Sequence, residues 1–255
     1  MSAAASTLAR LARDFATELT DTVRAVVGDG CAPFIADTPQ IPGARVATVR
    51  QDPASGITLL VGDDAILTLT AEFRCTWDGH GQYLAVHWSR VAVYPRDDLG
   101  KNPLLRYEYV KDMRSNLPAA HLQVHGTHDA LVEILEAAGK GSRKGKLRAK
   151  EVAGGHVPML SELHFPLGGH RFRPCLEDIL AVLMEEFGVT PAGDRQTALD
   201  ALADGRETWR RTQVGAAVRD APDEAVRVLR SLGYEVTLPQ GTAEPRPQVA
   251  RLRAL

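Results

Sequence analysis

From Leu67 to Trp77 the chain alternates without a break. Leu67, Leu69, Ala71, Phe73, Cys75 and Trp77 fall on one side, and Thr68, Thr70, Glu72, Arg74 and Thr76 on the other. A period of two sends successive side chains to opposite faces of an extended chain, so the segment reads as a half-buried strand. Asp78-Gly79 follows, and both residues tolerate the positive φ of a tight hairpin turn, so the return strand is read over 83–94 and the sheet as mostly antiparallel. Shorter strand-like runs occupy 45–49 and 57–61, with Pro53-Ala54-Ser55-Gly56 as the turn between them. Others occupy 104–110, 119–125 and 160–165.

Helical spacing brackets these strands. Leu8, Leu11, Phe15, Leu19, Val23, Val26 and Val27 recur mostly every three or four residues up to Gly28-Asp29-Gly30, which predicts an opening helix lying on the sheet. A second helix is expected over 128–138, with Thr127 as its cap and Gly139 as its stop. A third starts at Pro174, carries Leu176, Ile179, Leu180, Leu183 and Phe187, and ends at Gly188. Beyond 194 the pattern is helical over 198–218 and 223–232, then a short strand at 234–238 and a Pro-rich tail. The expected fold is therefore α+β: a mostly antiparallel sheet of six or seven strands, packed by an N-terminal helix and by the helix after the last main strand. A main domain over 1–190, with a basic loop inserted at 139–153, precedes a C-terminal helical region over 191–255.

Composition narrows the partners. In 255 residues 44% are hydrophobic and 24% charged, which suits a globular core and argues against disorder. The formal net charge of −2 removes whole-molecule attraction to nucleic acid or anionic lipid, so such binding must come from a local patch. Cys31, Cys75 and Cys175 are odd in number and far apart, fitting neither a disulfide framework nor a zinc finger. No Lys or Arg precedes the first apolar residues, the N-terminus carries Asp14, Glu18 and Asp21, and no apolar run of spanning length occurs, so a cytoplasmic protein with no membrane partner is expected.

Six of the eight histidines, His121, His125, His128, His156, His164 and His170, sit in one stretch with Arg171 and Arg173. On a strand at 119–125, His121, Gln123 and His125 share the face away from Leu122 and Val124, and on one at 160–165, Glu162 and His164 share the polar face. If those strands pair, the imidazoles share one face with the Glu162 carboxylate, flanked by Arg171 and Arg173. A metal site fits poorly, because His121 and His125 on a strand stand roughly 13 Å apart and cannot both ligate one ion. No serine sits in a nucleophile elbow, and the segment 139–146 lacks the glycine and the Ser/Thr of a phosphate loop. No cofactor or metal enters the reading.

What these residues suit is metal-independent acid–base chemistry on RNA, which carries its own 2′-hydroxyl nucleophile. Imidazoles exchange protons near neutral pH and guanidinium grips phosphate oxygens in pairs. The expected catalytic set is His121, His125, His164 and Glu162 with Arg171 and Arg173. Lys140, Arg143, Lys144, Lys146, Arg148 and Lys150 supply a backbone-binding loop. Against this stand solvated histidines on a polar strand face, arginines that merely flank a helix entry, and a basic loop that is a plain surface insertion.

Tyr107-Glu108-Tyr109, then His121-Leu122-Gln123-Val124-His125-Gly126, then His170-Arg171-Phe172-Arg173-Pro174 running into Leu176-Glu177-Asp178-Ile179-Leu180 resembles the small TumE-type proteins of bacterial toxin–antitoxin loci. The likeness spans 67–187, and its matching positions are His121, His125, Arg171 and Phe172. It implies a toxin-like or defence-associated role with a cognate partner protein. The N-terminal helix, the insertion between Gly126 and Leu160 and the C-terminal region depart from that compact pattern. The alternative expectation is a non-catalytic module that forms a homodimer or binds a partner through the sheet and the appended helices.

Overall fold

The computed structural model describes residues 3–38, 46–78, 81, 83–96, 102–113, 117–127 and 143–254. Helix α1 (Ala3–Val27) opens the chain and stops at Gly28, whose φ of 81° is the left-handed turn that glycine adopts without Cβ strain. Strands β1 (Phe34–Asp37), β2 (Ala47–Gln51), β3 (Ile57–Val61), β4 (Asp64–Trp77), β5 (Leu84–Pro95), β6 (Leu105–Val110) and β7 (Ala120–Val124) follow. Next come α2 (Arg143–Ala153), a 3-10 turn at Leu160–Glu162, β8 (Phe165–Pro166), α3 (Leu176–Glu186), α4 (Arg195–Asp220), α5 (Pro222–Ser231) and α6 (Val249–Leu252).

The fold is α+β. The strands form one antiparallel eight-stranded sheet in the order β1-β2-β4-β5-β6-β7-β8, with β3 paired to β4. The alternation read at Leu67–Trp77 sets the layers. Val49, Leu69, Ala71, Val91 and Val93 share one buried cluster with Ala12, Ala16, Leu19 and Val23 of α1 and with Leu176, Ile179, Leu180 and Leu183 of α3. Each of the valine, leucine and isoleucine side chains contributes about 1.5–3 kcal/mol on burial. Ala198 and Leu202 of α4 belong to the same cluster, so the C-terminal helix packs into the core of the sheet domain. Asp194 caps α4 by accepting from the Thr197 amide at 2.8 Å.

Four expectations change. Phe34–Asp37 adds a strand in the loop before 43, bringing the count to eight. The expected strand at 160–165 is instead a 3-10 turn, because Glu162 N–H bonds Met159 O at 3.0 Å and the Glu162 carboxylate accepts the Met159 amide at 3.0 Å. Only Phe165 and Pro166 pair with β7, and proline lacks the N–H needed to extend the ladder. The basic insertion is helical over Arg143–Ala153, where Lys, Arg, Leu, Ala and Glu are all good helix formers. The segment 234–238 forms no strand, having no neighbouring strand to pair with. The expected helix over 128–138, with His128, lies outside the described residues, as does Gly79 of the β4–β5 turn. Among the described residues no helix is long and apolar enough to cross a membrane.

Because Leu202 is fully buried in the shared cluster, Leu202→Ala is expected to lower the stability of the whole molecule by about 2–5 kcal/mol. In urea unfolding followed by both far-UV dichroism and tryptophan fluorescence, the two probes should shift together. A shift seen by one probe alone would separate α4 from the sheet core.

Candidate functional site

The sheet's two faces carry different chemistry. On the face away from the helices, Arg50, Glu72, Arg90, Glu108 and His121 stand opposite one another across β2, β4, β5, β6 and β7. Opposed residues on paired strands lie close enough for their charges to couple. Glu108 faces Arg90 at 3.8 Å, Arg106 at 3.5 Å and His121 Nε2 at 3.3 Å. The His121 hydrogen bond holds its carboxyl below the usual range against the upward pull of burial, with Arg106 and Arg90 adding to it.

His121 is 2% exposed and donates from Nδ1 to the Pro118 carbonyl at 3.0 Å. Its ring lies 4.8 Å from that of His164, centroid to centroid. Gln123 ties the two segments. Its carbonyl accepts from Arg106 at 2.9 Å, and its amide donates to Ser161 O at 2.8 Å and to His164 Nε2 at 3.1 Å. His164 Nδ1 in turn donates to the Glu162 carbonyl at 3.2 Å. His125 continues the same face; burial, then Arg106 and Arg90, push it below the usual imidazole range. The Glu162 carboxylate turns away to His156 Nε2 at 2.8 Å. The geometry therefore sets His121 on Glu108 and against the His164 ring, while His164 bonds Gln123 and the Glu162 backbone carbonyl, a clamp between β7 and 160–166.

Arg171 and Arg173 are on the other side of the sheet. Strand alternation sends Glu108 and Tyr109 to opposite faces, and Arg173 stacks on Tyr109, 3.9 Å from its ring centroid, with Trp209 of α4 at 5.0 Å beyond. The expected pocket shared by imidazoles of 121, 125 and 164 with these guanidinia does not form, for that reason. Of the expected backbone-binding set, Lys146 and Lys150 are exposed one turn apart on α2, while Arg148 turns to the Glu162 carbonyl. Lys140 and the side chains of Arg143 and Lys144 lie outside the described residues.

The helix side of the sheet holds a cationic pocket of about 290 Å³. Lys111, Arg171, Arg219 and Arg251 line it together with His170, Tyr83 and Tyr109, against the carboxylates of Asp78 and Asp220. Asp220, 2% exposed at the end of α4, accepts from Arg171 at 2.5 Å and from Arg251 at 3.0 Å. Burial acts to raise its carboxyl, and the hydrogen bonds and charges of Arg171 and Arg251 overcome it and hold the group low. Arg219 reaches the Tyr83 hydroxyl at 3.5 Å. His170 Nδ1 lies 3.2 Å from the Tyr109 hydroxyl. Burial, then Arg171, Arg251 and Arg173, lower its pKa and favour the neutral imidazole. Burial pulls Arg173 down to about 10, still charged at neutral pH.

This arrangement can bind an oxyanion and present a neutral imidazole beside it. Among the described residues no three His, Cys, Asp or Glu side chains are grouped to hold a metal ion. Comparison with protein-family models, curated proteins and solved structures gives no match. The residues not anticipated from sequence are Lys111, Arg219, Asp220 and Arg251, which come from the end of β6, the end of α4 and the tail. No local spacing links them; only the packing of α4 against α1 and α3, and of α6 against α4, brings them together.

Asp220→Asn leaves two guanidinia without their shared counter-ion, and a loss of about 3 kcal/mol at pH 7 is expected in urea unfolding. The folded carboxyl lies below its unfolded value of about 3.9. Its contribution is therefore complete above that value and disappears as pH falls through the lower, folded one. The variant should show a shallower acid limb than the parent; parallel limbs would exclude this pairing as a source of stability.

Proposed function

We propose that the protein acts on RNA as a metal-independent endoribonuclease, with the cationic pocket as its reaction site. The observation that carries this reading is a histidine held toward neutrality among four lysine and arginine side chains in one cavity. Lys111 and Arg219 have no carboxylate partner among the described residues, whereas Arg171 and Arg251 share Asp220. The cavity thus has positive charge to spare for a phosphodiester, and its cations match the charge that builds on phosphate oxygens during in-line attack. With Nδ1–H given to the Tyr109 oxygen, His170 Nε2 is free to take the proton of the RNA 2′-hydroxyl. The 2′-oxygen then bonds to phosphorus, the bond to the 5′-oxygen breaks, and that oxygen takes a proton from solvent. A 2′,3′-cyclic phosphate remains.

The resemblance of the segments around Tyr107–Tyr109, His121–Gly126 and His170–Leu180 to TumE-type proteins supports a toxin-like or defence-associated role with a cognate partner. In this account His121, His164 and Gln123 hold the sheet edge in place, and Lys146 and Lys150 are a second contact for the RNA backbone. A second reading, a non-catalytic module that binds a partner or a second copy, is favoured by exposed apolar side chains in the C-terminal region. Val214, Leu232 and Tyr234 are 56%, 68% and 63% exposed, apolar surface of the kind a partner covers.

Purified protein incubated with total RNA in EDTA is expected to cleave it to cyclic phosphate ends. His170→Ala should lower the rate by about 10²–10⁴-fold. Arg219→Ala should weaken RNA binding and reduce the salt dependence by about one charge. Absence of cleavage with and without divalent metal excludes the enzyme. Self-association lost in Leu232→Glu and Tyr234→Glu, both at exposed positions, while all histidine variants retain it supports the second reading.

A further inference from the structure

A larger cleft of about 770 Å³ opens between the sheet and α4, within the range of about 300–1,000 Å³ typical of small-ligand sites. It adjoins the cationic pocket, since Tyr83, Ala85, Val86, Tyr109 and Arg171 line both. Its floor is apolar and aromatic, with Phe73, Val91 and Tyr107 from the sheet, and Trp209 looks onto it from α4.

Two buried acceptors face this cleft. Gln213 is 8% exposed, and its Oε1 has no hydrogen-bond partner among the described residues. A buried acceptor left unmet costs stability, which a bound donor recovers. Glu177 is 9% exposed and accepts from the Thr22 hydroxyl at 3.1 Å, with no cation within ion-pair distance among the described residues. Gly205 of α4 makes room for that carboxylate: a Cβ there would come within 2.9 Å of Glu177 Oε1. Asp14 and Glu18 extend the acidic wall toward the mouth. An occupant therefore needs a flat apolar body and a hydrogen-bond donor edge, and it must reach the anion site next door.

Resting on the reading of the cationic pocket as a phosphate site, we infer that the cleft receives a nucleobase bearing an exocyclic amine, guanine foremost, from the RNA strand whose phosphate lies beside His170. Guanine presents N1–H and N2–H₂ side by side, a donor pair that one carboxylate can accept, whereas uracil offers a single N–H between two carbonyl acceptors. Tyr107 and Trp209 supply aromatic surface of the kind on which bases stack. The chain thus selects where it cuts through a base cleft separate from the site that grips phosphate.

Calorimetric titration with guanosine 3′-monophosphate, uridine 3′-monophosphate and inorganic phosphate tests this directly. The guanine nucleotide is expected to bind about ten-fold or more tightly than the uracil nucleotide. Glu177→Gln and Gln213→Leu should each reduce that ratio while leaving phosphate affinity unchanged. Gln213→Leu, which removes an unmet acceptor, serves if the Glu177 variant fails to fold. Equal affinities for the two nucleotides, or a ratio untouched by both variants, overturn the base cleft while phosphate binding upholds the neighbouring pocket. Failure of phosphate and both nucleotides to bind overturns both.

Discussion

The pleat of β6 divides the chemistry of this molecule. Along Leu105–Val110 successive side chains leave opposite faces, so Arg106 and Glu108 join the polar row that includes His121 and Gln123. Tyr107 and Tyr109 look instead toward the helices, where Tyr109 meets His170 and Arg173. A slip of one residue in the register of β6 with β5 and β7 would exchange the two sets. The apolar requirement for Val91, Val93 and their partners to face α1 and α3 forbids that slip. Burial of the core therefore fixes on which side each charged group stands.

On the helix side, the end of α4 organises the cationic pocket. Asp220 neutralises part of the positive charge that Arg171 and Arg251 bring together, and the Gln248 amide donates to the Asp220 carbonyl at 2.8 Å. One buried carboxylate thus anchors both the turn before α3 and the tail helix α6. Without it, clustering these guanidinia would cost self-repulsion as well as desolvation. On the opposite side, the same economy of pairing leaves His121 and His164 engaged at their ring nitrogens, which suits a clamp at the sheet edge better than a reaction centre.

Much of the fold is legible in the residues themselves. The alternation at Leu67–Trp77 and the stripe of Leu176, Ile179, Leu180 and Leu183 specify a strand and a helix whatever surrounds them. The co-facial placement of His121, Gln123 and His125 follows from the same period. The segment 160–165 misleads because its apolar-polar alternation is also compatible with a turn, and the Glu162 side chain caps that turn. The pocket is not legible at all from spacing. Lys111, His170, Arg219 and Arg251 are far apart in sequence, and α4 shows too little amphipathic contrast to announce which side it turns to the sheet. Arg171 and Arg173 are recognisable as arginines at a helix entry, but the face they serve is decided by Tyr109.

In the proposed function RNA meets the helix side of the sheet, at the pocket of His170, and not the imidazole face across it. Ultraviolet cross-linking of the intact protein to RNA, followed by mass spectrometry of the adducted peptides, tests it most directly. Adducts are expected on peptides containing Tyr83, Tyr109 or Trp209. Adducts confined to the peptides of His121–His125 and His164 would contradict it.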